Sequence, residues 1–229
     1  LLGGKGANLA EMTRAGLPVP PGFTVTTEAC HIFFEAGSRI PDEMQEQIDA
    51  ALKNLEAEKG QIFGDPANPL LVSVRSGSVT SMPGMMDTIL NLGLNDETVR
   101  GLAALSQNER FAYDCYRRLI QMFGNVVLGV ESFHFESLLH KLKKSLGVSQ
   151  DQEVPAEGWK QLVEDYKMCV KSHSGQPFPQ DVREQLRMAV SAVFKSWNNQ
   201  RAIVYRRINR IPDTLGTAVN VQSMVFGNL

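Results

Sequence analysis

The chain has 229 residues, of which 43% are hydrophobic and 21% charged, with 19 glycines and 11 prolines. These proportions exclude collagen-like, low-complexity and wholly disordered chains, and the length suffices for a hydrophobic core without covalent staples. Lys+Arg 23 against Asp+Glu 25 leaves a net charge of -2, so no global field draws the chain to nucleic acid or anionic lipid.

Cys30, Cys115 and Cys169 are odd in number, far apart and in no Cys-x-x-Cys pair. That speaks against structural zinc or a disulfide framework and favours a reducing compartment, with the cytoplasm as the expected location. No apolar run approaches the roughly 20 residues of a bilayer span, and no signal peptide is visible. The sequence does not open on Met and stops directly after an apolar run, so it reads as a piece of a longer protein cut at both ends.

In chain order, Gly3-Gly4-Lys5-Gly6 opens a helix in which Leu9 and Met12 share a face, and Gly16 followed by Pro18 stops it. Pro18 to Gly22 is a turn, and Phe23-Thr24-Val25 reads as a short strand. Thr26 or Thr27 caps the next helix, which Gly37 ends. Residues 41–58 form a polar helix with Met44, Ile48, Leu52 and Leu55 along one stripe. The run 70–75, bounded by Pro69 and Gly77, suits a buried strand. After a loop over 76–88, rich in small residues and methionine, Ile89 to Leu92 gives a second strand. From 96 to about 210, helical stripes replace Gly/Pro punctuation, and helices are expected near 109–128, 132–146, 157–172, 181–197 and 200–210. Residues 217–226 return to strand, Val219 and Val221 alternating against Asn220 and Gln222. The sum is an α+β fold interrupted by a helical subdomain.

Chemistry can reside at few places. A Gly-rich helix start with a lysine suits phosphate, because glycine lets backbone N–H groups approach an anion and the helix N-terminus adds partial positive charge. The segment fails the Walker pattern, however, and local pattern alone favours a plain Gly-rich start with a solvated Lys5. Arg75 ends a run that should be buried, so it meets either a carboxylate or an anionic ligand. Residues 81–88, Ser-Met-Pro-Gly-Met-Met-Asp-Thr, read either as core gap-filling methionines or as a shaped flap that shields phosphates. His31, His134, His140 and His173 lack metal-ligand spacing, and no paired carboxylates suited to Mg2+ stand out. The arginines at 201, 206, 207 and 210, and the lysines at 141, 143 and 144, read as solvated helix faces.

Taken together, Gly3 to Met12, the segment Gly16-Leu17-Pro18-Val19-Pro20-Pro21-Gly22-Phe23, and Ser73-Val74-Arg75-Ser76-Gly77 with the Met-Pro-Gly-Met-Met-Asp-Thr loop resemble the pyruvate, phosphate dikinase family. Phe111 to Arg118 and Gly216 to Asn228 extend the resemblance over the whole chain, in order. It implies an ATP-grasp-like nucleotide-binding lobe with an inserted all-helical subdomain: a first α+β lobe at 1–95, helices at 96–212, and the start of the second lobe at 213–229. It further implies conversion of ATP, phosphate and pyruvate to AMP, diphosphate and phosphoenolpyruvate, through a phosphohistidine on another domain.

By that resemblance Lys5 and Arg75 hold the ATP phosphates and act in catalysis. Gly84, Met85, Met86, Asp87 and Thr88 cover them, and Gln222, Met224 and Val225 line the adenine through backbone groups. Mg2+ accompanies ATP, its ligands being expected beyond Leu229 and none within this sequence, so the chain alone is expected to be inactive. The implied partners are ATP and the phosphohistidine domain, in a homodimer, with no nucleic acid or membrane. The implied location is cytoplasmic, or plastid for a plant protein. Two alternatives stand beside this reading. Phosphoenolpyruvate synthase is one, although the Met-Pro-Gly-Met-Met-Asp-Thr loop favours the dikinase. A non-catalytic helical interaction module is the other.

Overall fold

The computed structural model describes residues 1–80, 82 and 84–227; Ser81 and Pro83 of the expected flap, and the terminal Asn228 and Leu229, lie outside the described residues. Helices α1 (Gly3–Arg14), α2 (Thr27–Glu35), α3 (Asp42–Lys59), α4 (Thr98–Ser106), α5 (Glu109–Val126), α6 (Ser132–Leu146), α7 (Ala156–Ser174), α8 (Val182–Ser196) and α9 (Gln200–Ile208) combine with strands β1 (Gly22–Val25), β2 (Val72–Gly77), β3 (Thr88–Leu92) and β4 (Ala218–Ser223). The mixed helix-and-sheet class follows directly. Contacts divide the chain into two units. One comprises Leu1–Gly60, Val72–Ile89 and Leu186–Val225, and the other Gln61–Leu71, Leu90–Gln185 and Phe226–Leu229. These cuts fall at places other than 95/96 and 212/213.

The sheet order is β1-β4-β2-β3, so the last strand in sequence lies between the first two. β4 runs antiparallel to both neighbours, with Thr24 opposite Asn220 and Asn220 opposite Arg75. Because side chains alternate with a period of 2, this register puts Thr24, Asn220, Gln222, Ser73 and Arg75 on one face. Phe23, Val25, Val219, Val221, Val72 and Val74 share the other. Every residue of β4 is buried, so the Val/Asn/Val/Gln alternation marks an apolar and a polar interior face rather than core and solvent.

Helix α2 packs on β4 and α3 on β1. Phe33 is fully buried, its ring 5.3 Å from that of Phe194, and the predicted stripe of Met44, Ile48, Leu52 and Leu55 is the buried face of α3. Thr26 caps α2, its hydroxyl accepting from the Ala29 N–H at 3.4 Å. Helix α1 stops as expected, with Gly16 at φ 78° and the Leu17 N–H bonded to Met12 O. Its packing differs from the expected Leu9/Met12 stripe: the buried residues of α1 are Gly3 and Gly6, and Met12 is 38% exposed. Close approach, rather than side-chain burial, seats this helix.

In the helical unit α5 packs against α4 and α7, and α7 against α6. The short α4 was not among the expected helices. Gly101 interrupts its pattern, and glycine is required there because a Cβ would come within 2.2 Å of Pro66 O. The side chain of Gln185 is fully buried and serves three backbone groups, accepting from Gly93 N and donating to Leu94 O and Pro179 O. Arg117 is buried over the Trp159 ring, 4.5 Å from its centroid, and paired to Asp114 at 2.7 Å and Asp151 at 2.6 Å.

Lys143 also reaches Asp151, so the expected solvated lysine run gives up one member to an ion cluster. Burial alone would raise the Asp151 carboxyl, but hydrogen bonds and charge from Lys143 and Arg117 outweigh it and hold the group below its ordinary value. A depressed folded-state value stabilises above the unfolded value, and that contribution disappears as pH falls through the lower folded value. Urea midpoints should therefore decline for the wild type as pH drops through the acid range below about 4. The Asp151→Asn variant should start lower at neutral pH and show a flatter decline.

Candidate functional site

The first turn of α1 lies against the end of β2 and the residues after it. A Cβ on Gly3, whose φ is 65°, would sit 1.5 Å from Gly77 O, and one on Gly6 would come within 3.0 Å of both Asn220 Oδ1 and Thr24 Oγ1. The Gly4 N–H donates to Ser78 O at 3.0 Å, so that amide is spent within the protein and is not offered to an anion. The glycines of Gly3-Gly4-Lys5-Gly6 thus bring helix and sheet together on the polar sheet face. Thr24 donates to Asn220 Oδ1 at 2.9 Å there, and Asn220 Nδ2 is buried with no partner among the described residues.

This approach carries Lys5 toward Arg75. Lys5 remains exposed at its rim, yet its ammonium is held below the ordinary lysine value, first by partial burial and then by the Arg75 charge, with no carboxylate offsetting either. Arg75 Nε is buried without a hydrogen-bond partner among the described residues. Two like charges brought together and left uncompensated favour an anion between or beside them.

Next to them is a cavity of about 460 Å3, lined by Lys5, Asn8, Ser76, Ser78, Thr80 and Thr88 as polar groups and by Met82, Gly84 and Met86. The volume falls in the range of small-molecule sites. Ser78 Oγ is buried and unpaired among the described residues. Hydroxyls, an amide and a cation, with no carboxylate in the lining, make a wall rich in donors for oxyanions. The cavity therefore does not fit a directly ligated Mg2+, and no group of three His, Cys, Asp or Glu suited to a metal ion occurs among the described residues.

Of the residues singled out in the sequence, Lys5, Gly84, Met86 and Thr88 share this cavity, with Arg75 close to Lys5. Met85 and Asp87 do not line it: Met85 O accepts from Asn199 and Asp87 pairs with Arg201. Gln222 lines a second cavity of about 350 Å3 with Gly6, Thr24 and Asn220, its Nε2 donating to Pro20 O at 2.9 Å. Met224 follows β4, and Val225 is 67% exposed. The expected solvated arginine face is corrected at one position, since Arg206 is 2% exposed, stacked on Trp197 and bonded to Asp213. Sequence reasoning missed Asn8, Ser76, Ser78 and Thr80. Asn8 could have been found from its i, i+3 spacing to Lys5 on one helix face.

Comparison with known proteins shows the family of the chain. Residues 1–59 and 36–229 match the model described as pyruvate phosphate dikinase, AMP/ATP-binding domain. The chain belongs to that family. It is 56% identical over 229 residues to a pyruvate, phosphate dikinase of Clostridium symbiosum, 55% over 229 residues to a chloroplastic one of Mesembryanthemum crystallinum, and 53% over 228 residues to one of Rhizobium meliloti (strain 1021). Each match covers 100% of this chain and 26%, 24% and 25% of the respective relative. The chain thus spans about a quarter of the length of the dikinases it matches.

Two outcomes test the geometry of this site. Alanine at Gly3 must move either α1 or Gly77, so Gly3→Ala should lower folding stability by on the order of 3 kcal/mol in denaturant titration. In Arg75→Gln, the Lys5 ammonium should titrate at higher pH than in the wild type, while burial keeps it below the ordinary lysine value. Nuclear magnetic resonance of the lysine side chains reads this directly; identical titrations in the two proteins would mean that the cations do not face each other.

Proposed function

We propose that this chain is the ATP-binding portion of a pyruvate, phosphate dikinase. In this reading two lobes of an ATP-grasp-like fold close on the nucleotide, and the whole protein converts ATP, phosphate and pyruvate to AMP, diphosphate and phosphoenolpyruvate. The observation that carries the proposal is the uncompensated pair Lys5 and Arg75 beside a cavity of hydroxyl donors. A polyphosphate supplies the negative charge that this arrangement lacks.

Each element then has a task. Lys5, a point charge at the cavity rim, neutralises charge on the ATP phosphates during transfer. Arg75, held on a buried strand, offers a planar fork to phosphate oxygens and stabilises charge as it redistributes during transfer. Residues 84–88 cover the phosphates and exclude water, and Gln222, Met224 and Val225 approach the adenine through backbone groups. The acceptor is a histidine on another domain of the same polypeptide, within a homodimer. Carboxylates outside this sequence would hold the Mg2+ that accompanies the nucleotide, and the ion would supply screening of phosphate charge. Three buried free cysteines suit a reducing compartment such as the cytoplasm or a plastid. Neither the synthase nor the interaction-module reading draws support from a specific contact.

In the full-length gene product, Lys5→Met and Arg75→Gln should each slow the nucleotide half-reaction by about 100- to 1,000-fold. Exchange between pyruvate and phosphoenolpyruvate on the phosphorylated protein should continue at its original rate. Isotope exchange measured separately for the two halves checks this; variants that keep nucleotide exchange would refute the assignment.

A further inference from the structure

Residues 84–87 wall the Lys5 cavity through Gly84 and Met86 but belong to no helix or strand. Their polar tethers come from the elbow between α8 and α9. Asn199 Nδ2 donates to Met85 O at 3.3 Å, Arg201 Nη2 pairs with Asp87 Oδ1 at 3.1 Å, and the Ser196 hydroxyl lies 3.9 Å from Met86 Sδ. The same Asn199 side chain caps α9, its Oδ1 accepting from the Ala202 N–H at 2.8 Å. One amide therefore joins the start of a helix to the loop.

The elbow is itself firmly held. Arg206 lies 4.0 Å above the centroid of the Trp197 ring and donates both to Trp197 O and to Asp213 Oδ1. Trp197 Nε1 donates to Asp213 O at 3.1 Å. The loop is thus tied to an elbow that is itself held by Arg206, Trp197 and Asp213.

We propose that Asn199 and Arg201 are positioning residues that hold the loop in place before any ligand arrives, so that a polyphosphate meets a preformed wall. The proposal rests on the nucleotide reading of the Lys5 cavity. An untethered loop must be ordered at the moment of binding, which weakens affinity. The cations acting on the reacting phosphate are left untouched, so the loss falls on KM rather than kcat. Arg201 is 60% exposed by side-chain area, which makes its tether sensitive to salt, whereas the neutral Asn199 bond is not.

The variants Asn199→Asp, Arg201→Gln and Arg201→Lys separate tethering from folding in the full-length gene product. Aspartate caps a helix about as well as asparagine, so Asn199→Asp keeps α9 but replaces the donor to Met85 O by a carboxylate oxygen that repels it. In Asn199→Asp and Arg201→Gln, KM for ATP should rise about threefold to tenfold with kcat changed less than about twofold. Arg201→Lys should recover most of the loss, and Arg201→Gln should show a shallower dependence of KM on salt than the wild type. Without nucleotide, amide hydrogen exchange at 85–87 should quicken while that of β2 and β4 is unchanged. Unchanged loop exchange, or quickened exchange with an unaltered KM, overturns the proposal. The exchange readout needs no ATP, so its failure is distinct from failure of the nucleotide reading, which Lys5→Met tests.

Discussion

The contact on which the site depends is that between the first turn of α1 and the end of β2. With a Cβ on Gly3 placed 1.5 Å from Gly77 O, the two backbones can meet only where residue 3 is glycine, and the Gly4 bond to Ser78 O fixes the register. Lys5 comes next in the chain and Arg75 lies two residues before Gly77. Backbone sterics thus set where the two charges stand, and the electrostatic conflict follows from packing. A motif that looks suited to cradling phosphate with N–H groups acts here by bringing a side chain to the right place.

The sheet supplies the second constraint. Because β4 arrives last and inserts between β1 and β2, the polar row of Thr24, Asn220 and Arg75 does not exist until residues nearly 200 apart have paired. Loop closure over such distances is entropically costly, and the apolar face of Phe23, Val25, Val74, Val219 and Val221 offsets that cost. The other face is then free to carry groups chosen for chemistry. Asn220 Nδ2 and Arg75 Nε, buried and unpaired among the described residues, are affordable only because the opposite face stabilises the strand that bears them.

What the sequence reveals follows from how local each interaction is. The α3 stripe of Met44, Ile48, Leu52 and Leu55 is written in a single period, and the bounds of α5 to α9 were readable within a few residues for the same reason. β4 was legible as a strand, but its neighbours were not, since strand order leaves no local trace. Burial of charge was least legible. Arg117 finds Asp151 on a turn 34 residues away, and Arg206, which in one dimension belonged to a solvated arginine face, finds both Asp213 and the Trp197 ring. Within the site, Lys5 and Arg75 were visible as unusual residues in unusual places. Ser76, Ser78 and Thr80 were not, because hydroxyls in a loop carry no pattern until a cavity selects them.

The protonation state of Lys5 links these levels. Its ammonium is disfavoured by burial and by Arg75, so without an anion the folded protein carries an electrostatic cost at neutral pH. An oxyanion between the two cations removes the Arg75 contribution and outweighs part of the desolvation, so it returns Lys5 toward its ordinary value. Binding and proton retention are then coupled in one direction: an anion favours the charged lysine, and the charged lysine favours the anion. In the proposed nucleotide reading, the cost of bringing the cations together would then form part of the discrimination for ligands of high negative charge. A neutral or cationic molecule of the same size would leave the repulsion between Lys5 and Arg75 in place.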